Sequence, residues 1–136
     1  MAAIKRFEDL EIWQLARDLS RNIYVLTFKE PLASDNRLKN QMRGSSGSDM
    51  DNIAEGFERS SRLEFINGLT TAKGEIGELK SQLYRTLDNS YISEEIFKEL
   101  YDEADLLTKK ITRFISYLNA SGIRGQKFKN RVEPDE

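Results

Sequence analysis

The side chain best placed to do chemistry in this sequence is the carboxylate of Asp49. Leu38, Met42, Ser45, Asp49, Ile53 and Phe57 recur at steps of three and four, so a helix through them puts Asp49 on the stripe of Met42 and Ile53, facing an apolar interior. Desolvation disfavours the ionised form of such a group and raises its pKa, which suits it to act as a general base or as an anchor for a cationic ligand. If the chain reverses near Arg59 and Ser60, Asp49 lies level with Gly68, Leu69 and Thr71. The same reflection through Pro31 and Tyr91 brings Leu15, Ala16 and Leu19, and Ile111, Phe114 and Ile115, to that layer. Gly68, beside Gly44, Ser45 and Ala72, leaves a void there, because cores close only partly over lost volume. The expected pocket therefore has Asp49 as candidate base, Ser45 and Thr71 as hydroxyl donors, and Gly68, Trp13 and Phe114 in its lining. Other placements stay open: Asp49 facing solvent or a wet channel, or capping a break in a helix weakened by Gly44 and Gly47, with Trp13 and Phe114 as ordinary core.

Most other chemistry is excluded by composition. The 136 residues contain no cysteine and no histidine, which removes disulfides, thiolate nucleophiles, imidazole bases and the usual zinc ligands. A two-metal carboxylate bundle needs paired Glu-x-x-His motifs, so neither a metal site nor a cofactor is expected. Gly44-Ser45-Ser46-Gly47-Ser48 lacks the lysine and following hydroxyl of a phosphate loop. Glu55 reads as one half of a structural ion pair with Arg43, Arg59 or Arg62, and Glu75 as a surface acid. The N-terminus has no apolar run like that of a signal peptide and no stretch is long enough to span a membrane, so the expected location is cytoplasmic. A net charge of −2 exerts no overall pull on nucleic acid. The one basic cluster, Arg124, Lys127, Lys129 and Arg131, is followed by Glu133, Asp135 and Glu136 and is partly neutralised by them.

The elements that must position these residues are helices. Hydrophobic residues at 38% and charged residues at 32%, with two prolines, fit amphipathic helices around a single core. From Phe7 to Phe28, Leu10, Trp13, Ala16, Leu19, Ile23 and Leu26 form the first stripe, which Pro31 ends. Ser34, Asp35 and Asn36 offer N-cap chemistry for the second helix. Ser61 with Glu64 is a capping-box pattern opening a third helix, whose stripe is Phe65, Leu69, Ala72, Ile76, Leu79 and Leu83. Ser93 with Glu94 and Glu95 opens a fourth, with Phe97, Leu100, Ala104, Leu107, Ile111, Phe114 and Leu118 inward. Gly122 and Gly125 stop it, leaving a bundle over 1–121 and a charged tail over 122–136. Short connections favour antiparallel neighbours, so the expected fold is all-α, an antiparallel up-down-up-down four-helix bundle.

Three stretches carry a family resemblance. They are Phe7-Glu8-Asp9-Leu10-Glu11-Ile12-Trp13, Asn52-Ile53-Ala54-Glu55-Gly56-Phe57-Glu58-Arg59, and Ala72-Lys73-Gly74 with Gly77-Glu78-Leu79-Lys80-Ser81-Gln82-Leu83-Tyr84. Together they resemble the bacterial 23S rRNA-intervening sequence proteins. The resemblance implies an up-down bundle that self-associates, commonly as a pentameric ring, and it supplies no biochemical activity. Distant relatives that assist reverse transcriptases are basic, so this acidic chain gains little support for a nucleic-acid partner. Its departures from the family pattern cluster: Gly44 for an arginine, Asp49 for an aliphatic residue, Gly68 for phenylalanine, and Thr71 and Thr86 for apolar residues.

Two functions follow as expectations. The first is a non-enzymatic bundle acting by self-assembly or partner contact, as a homo-oligomer. The second is a bundle whose interior, through divergence or engineering, has become a small-molecule pocket in which Asp49 abstracts a proton.

Overall fold

The structure is a computed structural model that describes residues 4–121. The tail over 122–136, with Gly122 and Gly125 as helix stops, lies outside the described residues. Four helices follow one another: α1 (Glu11–Leu26), α2 (Asn36–Glu58), α3 (Arg62–Asp88) and α4 (Glu94–Ala120), with single 3-10 turns at Phe7–Asp9 and Leu32–Ser34.

Each long helix after the first opens on the side chain its sequence offers. A carboxylate oxygen of Asp35 accepts from the Leu38 amide at 3.1 Å, Ser93 Oγ accepts from Ile96 at 3.1 Å, and Ser61 Oγ accepts from Glu64 at a longer 3.4 Å. These bonds satisfy amides that no helical carbonyl can reach. The other oxygen of Asp35 accepts from the Tyr91 hydroxyl at 3.0 Å, tying the start of α2 to the α3–α4 connection. The first helix starts later than its stripe suggests. Leu10 takes an extended conformation that buries its side chain completely, and the Phe7–Asp9 turn folds back so that Phe7 meets Trp13 edge to face.

The long-range pairs run in opposite senses between helices that pack side by side. Gln41 and Ser45 on α2 meet Arg85 and Gln82 on α3, Lys80 and Tyr84 on α3 meet Asp105 and Tyr101 on α4, and Glu11 and Asn22 on α1 meet Lys110 and Glu103 on α4. The result is the antiparallel up-down-up-down bundle. Its core takes one stripe from every helix, and near the α2–α3 turn it is aromatic: Phe57 packs on Phe65 at 5.6 Å and Phe65 on Phe114 at 5.4 Å. Burying each such side chain contributes on the order of 2 kcal/mol. Among the described residues no helix is long and apolar enough to cross a membrane.

Candidate functional site

The inward stripe of α2 is apolar at both ends and polar in the middle. Leu38, Met42, Ile53 and Phe57 are buried as the period requires, and so are Ser45, at 4% exposure, and Asp49, at 0%. Facing them on α3, Gln82 and Thr86 are also buried. Gln82 Nε2 donates to Ser45 Oγ at 3.0 Å, and Thr86 Oγ1 donates to the Gln82 carbonyl at 2.7 Å and lies 3.5 Å from the Met42 sulfur. A polar seam thus runs between α2 and α3 through an otherwise hydrophobic core.

Three acceptors in this seam have no hydrogen-bond partner: both carboxylate oxygens of Asp49 and Oε1 of Gln82. Burial pushes the Asp49 pKa up to about 8. The Met50 amide pulls it down by less than burial raises it, and the negative charges of Glu75 and Asp51 add smaller rises. At neutral pH Asp49 is therefore mainly the neutral acid, the form that costs least to hold away from water. Glu75 is half-buried rather than a plain surface acid, and burial followed by the charge of Glu78 raises its pKa as well.

The void expected at Gly68 is absent, because the backbone of α2 fills it. A Cβ at position 68 would stand 2.6 Å from the Asn52 carbonyl oxygen and 2.9 Å from the Gly56 Cα. Gly56 and Gly68 are where the two helices touch backbone to backbone. This crossing also shifts the register. Ser45 with Gln82 and Gln41 with Arg85 place the partners of Asp49 roughly one to two turns further along α3 than a reflection through Arg59 and Ser60 gives.

Thr71 does not serve the interior, because it falls off the inward stripe of α3. It is exposed, its hydroxyl donates back to the Asn67 carbonyl at 3.0 Å, and with Gly68 it lines a shallow groove beside Glu55 and Arg59. Phe114 belongs to the aromatic core with Phe65, and Trp13 is half-buried between Phe7 and the Arg17 guanidinium, 5.7 Å from its ring. Of the expected lining only Ser45 stands one helical turn from Asp49 on the same face. Glu55 is paired with Arg59 at 3.0 Å.

The sequence reading leaves Gln82 out of the site and takes Glu75 for a surface acid. A signal existed, since Leu79, Gln82 and Thr86 continue the α3 stripe at steps of three and four. Bordering the seam, an open cleft of about 440 Å³ lies between α2 and α3, lined by Gly44 and Ser45 and by Glu75, Glu78, Gln82 and Arg85. Among the described residues no group of three or more acidic side chains is placed to hold a metal ion.

Comparison with known proteins agrees with this architecture. The sequence profile of the family described as 23S rRNA-intervening sequence protein matches residues 8–113. A crystal structure of a protein of unknown function from the S23 ribosomal protein family of Bacteroides thetaiotaomicron VPI-5482 superposes with a TM-score of 0.70 at 22% identity, covering 77% of this chain and 95% of that one. No curated protein matches the chain.

Proposed function

The chain belongs to the 23S rRNA-intervening sequence protein family, and from that premise we propose that it works without catalysis of its own, as a helical module that associates with copies of itself. The observation that carries this reading is an exposed aromatic cluster at the end of α1. Tyr24, Val25 and Phe28 are 51%, 54% and 63% exposed. Tyr24 and Phe28 meet edge to face at 5.0 Å, and the Arg43 guanidinium lies over both rings, at 4.4 Å and 4.9 Å. Arg43 is itself fixed, donating through Nε to Thr27 Oγ1 at 2.8 Å. Aromatic rings and arginine held in one arrangement on a surface are the usual anchors of protein interfaces.

The occupant proposed for this surface is a second copy of the chain, in a closed ring for which five copies is the number the resemblance implies. The proposed setting is the cytoplasm of a bacterium. The acidic balance of the chain supports protein contact over nucleic acid as the main interaction. Sedimentation velocity over a range of concentrations tests the reading. The chain should sediment as an oligomer, and Phe28→Asp should weaken association by about thirtyfold or more while leaving helix content unchanged, the scale of losing one aromatic anchor. A chain that stays monomeric at every concentration sinks it.

A second reading, proton abstraction by Asp49, is favoured by the buried carboxyl itself. With a pKa of about 8, about a tenth of the molecules carry the ionised base at pH 7. A substrate would have to part α2 from α3 to reach it. Carbodiimide labelling of carboxyl groups, read by peptide mass spectrometry, tests that access: labelling of Asp49 at the rate of exposed acids supports the reading, and complete protection removes it.

A further inference from the structure

The aromatic cluster at the end of α1 carries a charge that its own face does not balance. Arg43 lies over the Tyr24 and Phe28 rings and donates to Thr27, and among the described residues it makes no ion pair. Two copies meeting cluster to cluster about a two-fold axis would bring two such guanidiniums together with no carboxylate between them, and like charges in a contact are costly. The cluster therefore calls for a different surface on the neighbouring copy, one that is acidic and offers apolar area to the rings.

Ring closure restricts where that surface lies. The helices pack in the cyclic order α1, α2, α3, α4 and back to α1, so the cluster occupies one of four faces. In a head-to-tail ring of three to five copies, the two contact surfaces of each copy face about 60° to about 108° apart. Neighbouring faces of a four-helix bundle, roughly 90° apart, satisfy this, whereas the opposite face, roughly 180° away, would build an open fibre. The α3–α4 face with Tyr84, Phe97 and Tyr101 is the opposite one. Of the two neighbouring faces, the α2–α3 cleft is lined by polar side chains and glycine alone and gives the rings nothing apolar to cover. The face between α4 and α1 instead holds a cleft of about 280 Å³ lined by Val25, Leu26, Ile96 and Leu100, with Glu99 and Glu103 contributed by α4.

That cleft matches the cluster in charge and in height. Glu99 is exposed and makes no ion pair among the described residues. Glu103 accepts from Asn22 Nδ2 at 3.0 Å. Burial raises the Glu103 pKa, the Asn22 bond draws it back, and the charges of Asp18 and Glu99 raise it further, so negative charge is crowded there. Lys29 is the one cation among the residues that line the cleft. Because α1 and α4 run antiparallel, the end of α1 and the start of α4 lie at the same end of the bundle. Cluster and cleft thus stand at one level, and a contact between them needs no shift along the bundle axis, the condition for a closed ring rather than a helical filament. Resting on the self-assembly proposed above, we infer that the α4–α1 cleft of one copy receives the Tyr24, Phe28 and Arg43 cluster of the next, with Glu99 and Glu103 balancing the guanidinium.

Two variants, each spoiling one surface, provide the test. Phe28→Asp damages the cluster and keeps the cleft, whereas Glu99→Arg, at an exposed position, damages the cleft and keeps the cluster. In sedimentation velocity Glu99→Arg should weaken association by about tenfold or more with helix content unchanged, the scale of setting like charges together in a contact. Isotopically labelled Phe28→Asp is then titrated with unlabelled Glu99→Arg and followed by NMR. The backbone amides of Ile96, Glu99 and Glu103 should shift and saturate, because an intact cluster meets an intact cleft. Unlabelled Phe28→Asp added in its place should leave them unmoved. The mixture should stop at pairs, since neither copy can hold a further one. If the wild type assembles but Glu99→Arg assembles equally well, or the mixture leaves those amides in place, this pairing is overturned and self-assembly stands. A wild-type chain that is monomeric at every concentration removes both.

Discussion

With both oxygens unpartnered and its pKa pushed up to about 8 by burial, Asp49 holds its proton in the fold at neutral pH. In the unfolded chain the same carboxyl, with a pKa of ~3.9, would be ionised. The folded state therefore binds the proton more tightly, so this group's contribution to stability is complete below about pH 4, is lost as pH rises toward 8, and is flat above that. Glu75 and Glu103, whose pKa values burial also raises, act in the same direction. Asp35, held low first by the Leu38 amide, and Asp105, held low first by Lys80, act in the opposite direction, gaining stability as the pH rises through their titration. Replacing Asp49 by Val or Leu should stabilise the protein by about 1 to 3 kcal/mol near pH 8, the order of an uncompensated buried polar group. Thermal melts between pH 4 and 8 should show the decline in the wild type and a reduced one in the variant. Matching profiles would mean that water reaches the Asp49 carboxylate.

At the scale of elements, the contact that decides the geometry is between two residues with no side chain. Because a Cβ at position 68 would lie 2.6 Å from a backbone carbonyl oxygen, Gly68→Ala must push α3 away from α2 and should cost about 1 to 3 kcal/mol, as overpacking does. Gly74→Ala and Gly77→Ala, where the added carbon meets nothing within 4 Å, should instead stabilise by about 0.5 to 1 kcal/mol each through helix propensity. Urea denaturation of the three variants distinguishes a close crossing from a loose one. This crossing also marks where sequence reasoning stops. Asp35, Ser61 and Ser93 announce their helices because cap chemistry is local, and the burial of Asp49 follows from the period of its own helix. The level at which α3 meets Asp49 depends on how closely two backbones approach, which no pattern within either helix encodes. The glycine that reads as missing bulk is the contact itself, whereas the exposure of Thr71 and the burial of Gln82 follow the period of α3, on whose inward stripe Gln82 falls and Thr71 does not.

For the whole molecule, the outer surface separates its features. The Tyr24, Phe28 and Arg43 cluster lies between α1 and α2, the acceptor-rich cleft between α2 and α3, and a third group, Tyr84, Phe97 and Tyr101, between α3 and α4 with Lys80 5.3 Å from the Tyr101 ring. Association through the first surface need not close the α2–α3 cleft, so Phe28→Asp should weaken assembly by about thirtyfold or more while the backbone amides lining that cleft keep their NMR shifts, and a change at those amides would show that one surface depends on the other. The N-terminal turn has a separate consequence, for optical spectroscopy. The chain has a single tryptophan, Trp13, and it sits half-buried at the edge of the core, packed against Phe7 of that turn. Its fluorescence therefore reports whether the Phe7–Asp9 turn is docked, while far-ultraviolet circular dichroism reports the bundle. Phe7→Ala should move the emission to longer wavelength with little change in ellipticity. In a denaturant titration of the wild type, an emission change that precedes the loss of helix would reveal the turn undocking before the bundle unfolds; coincident transitions would show that the turn and the bundle unfold as one cooperative unit.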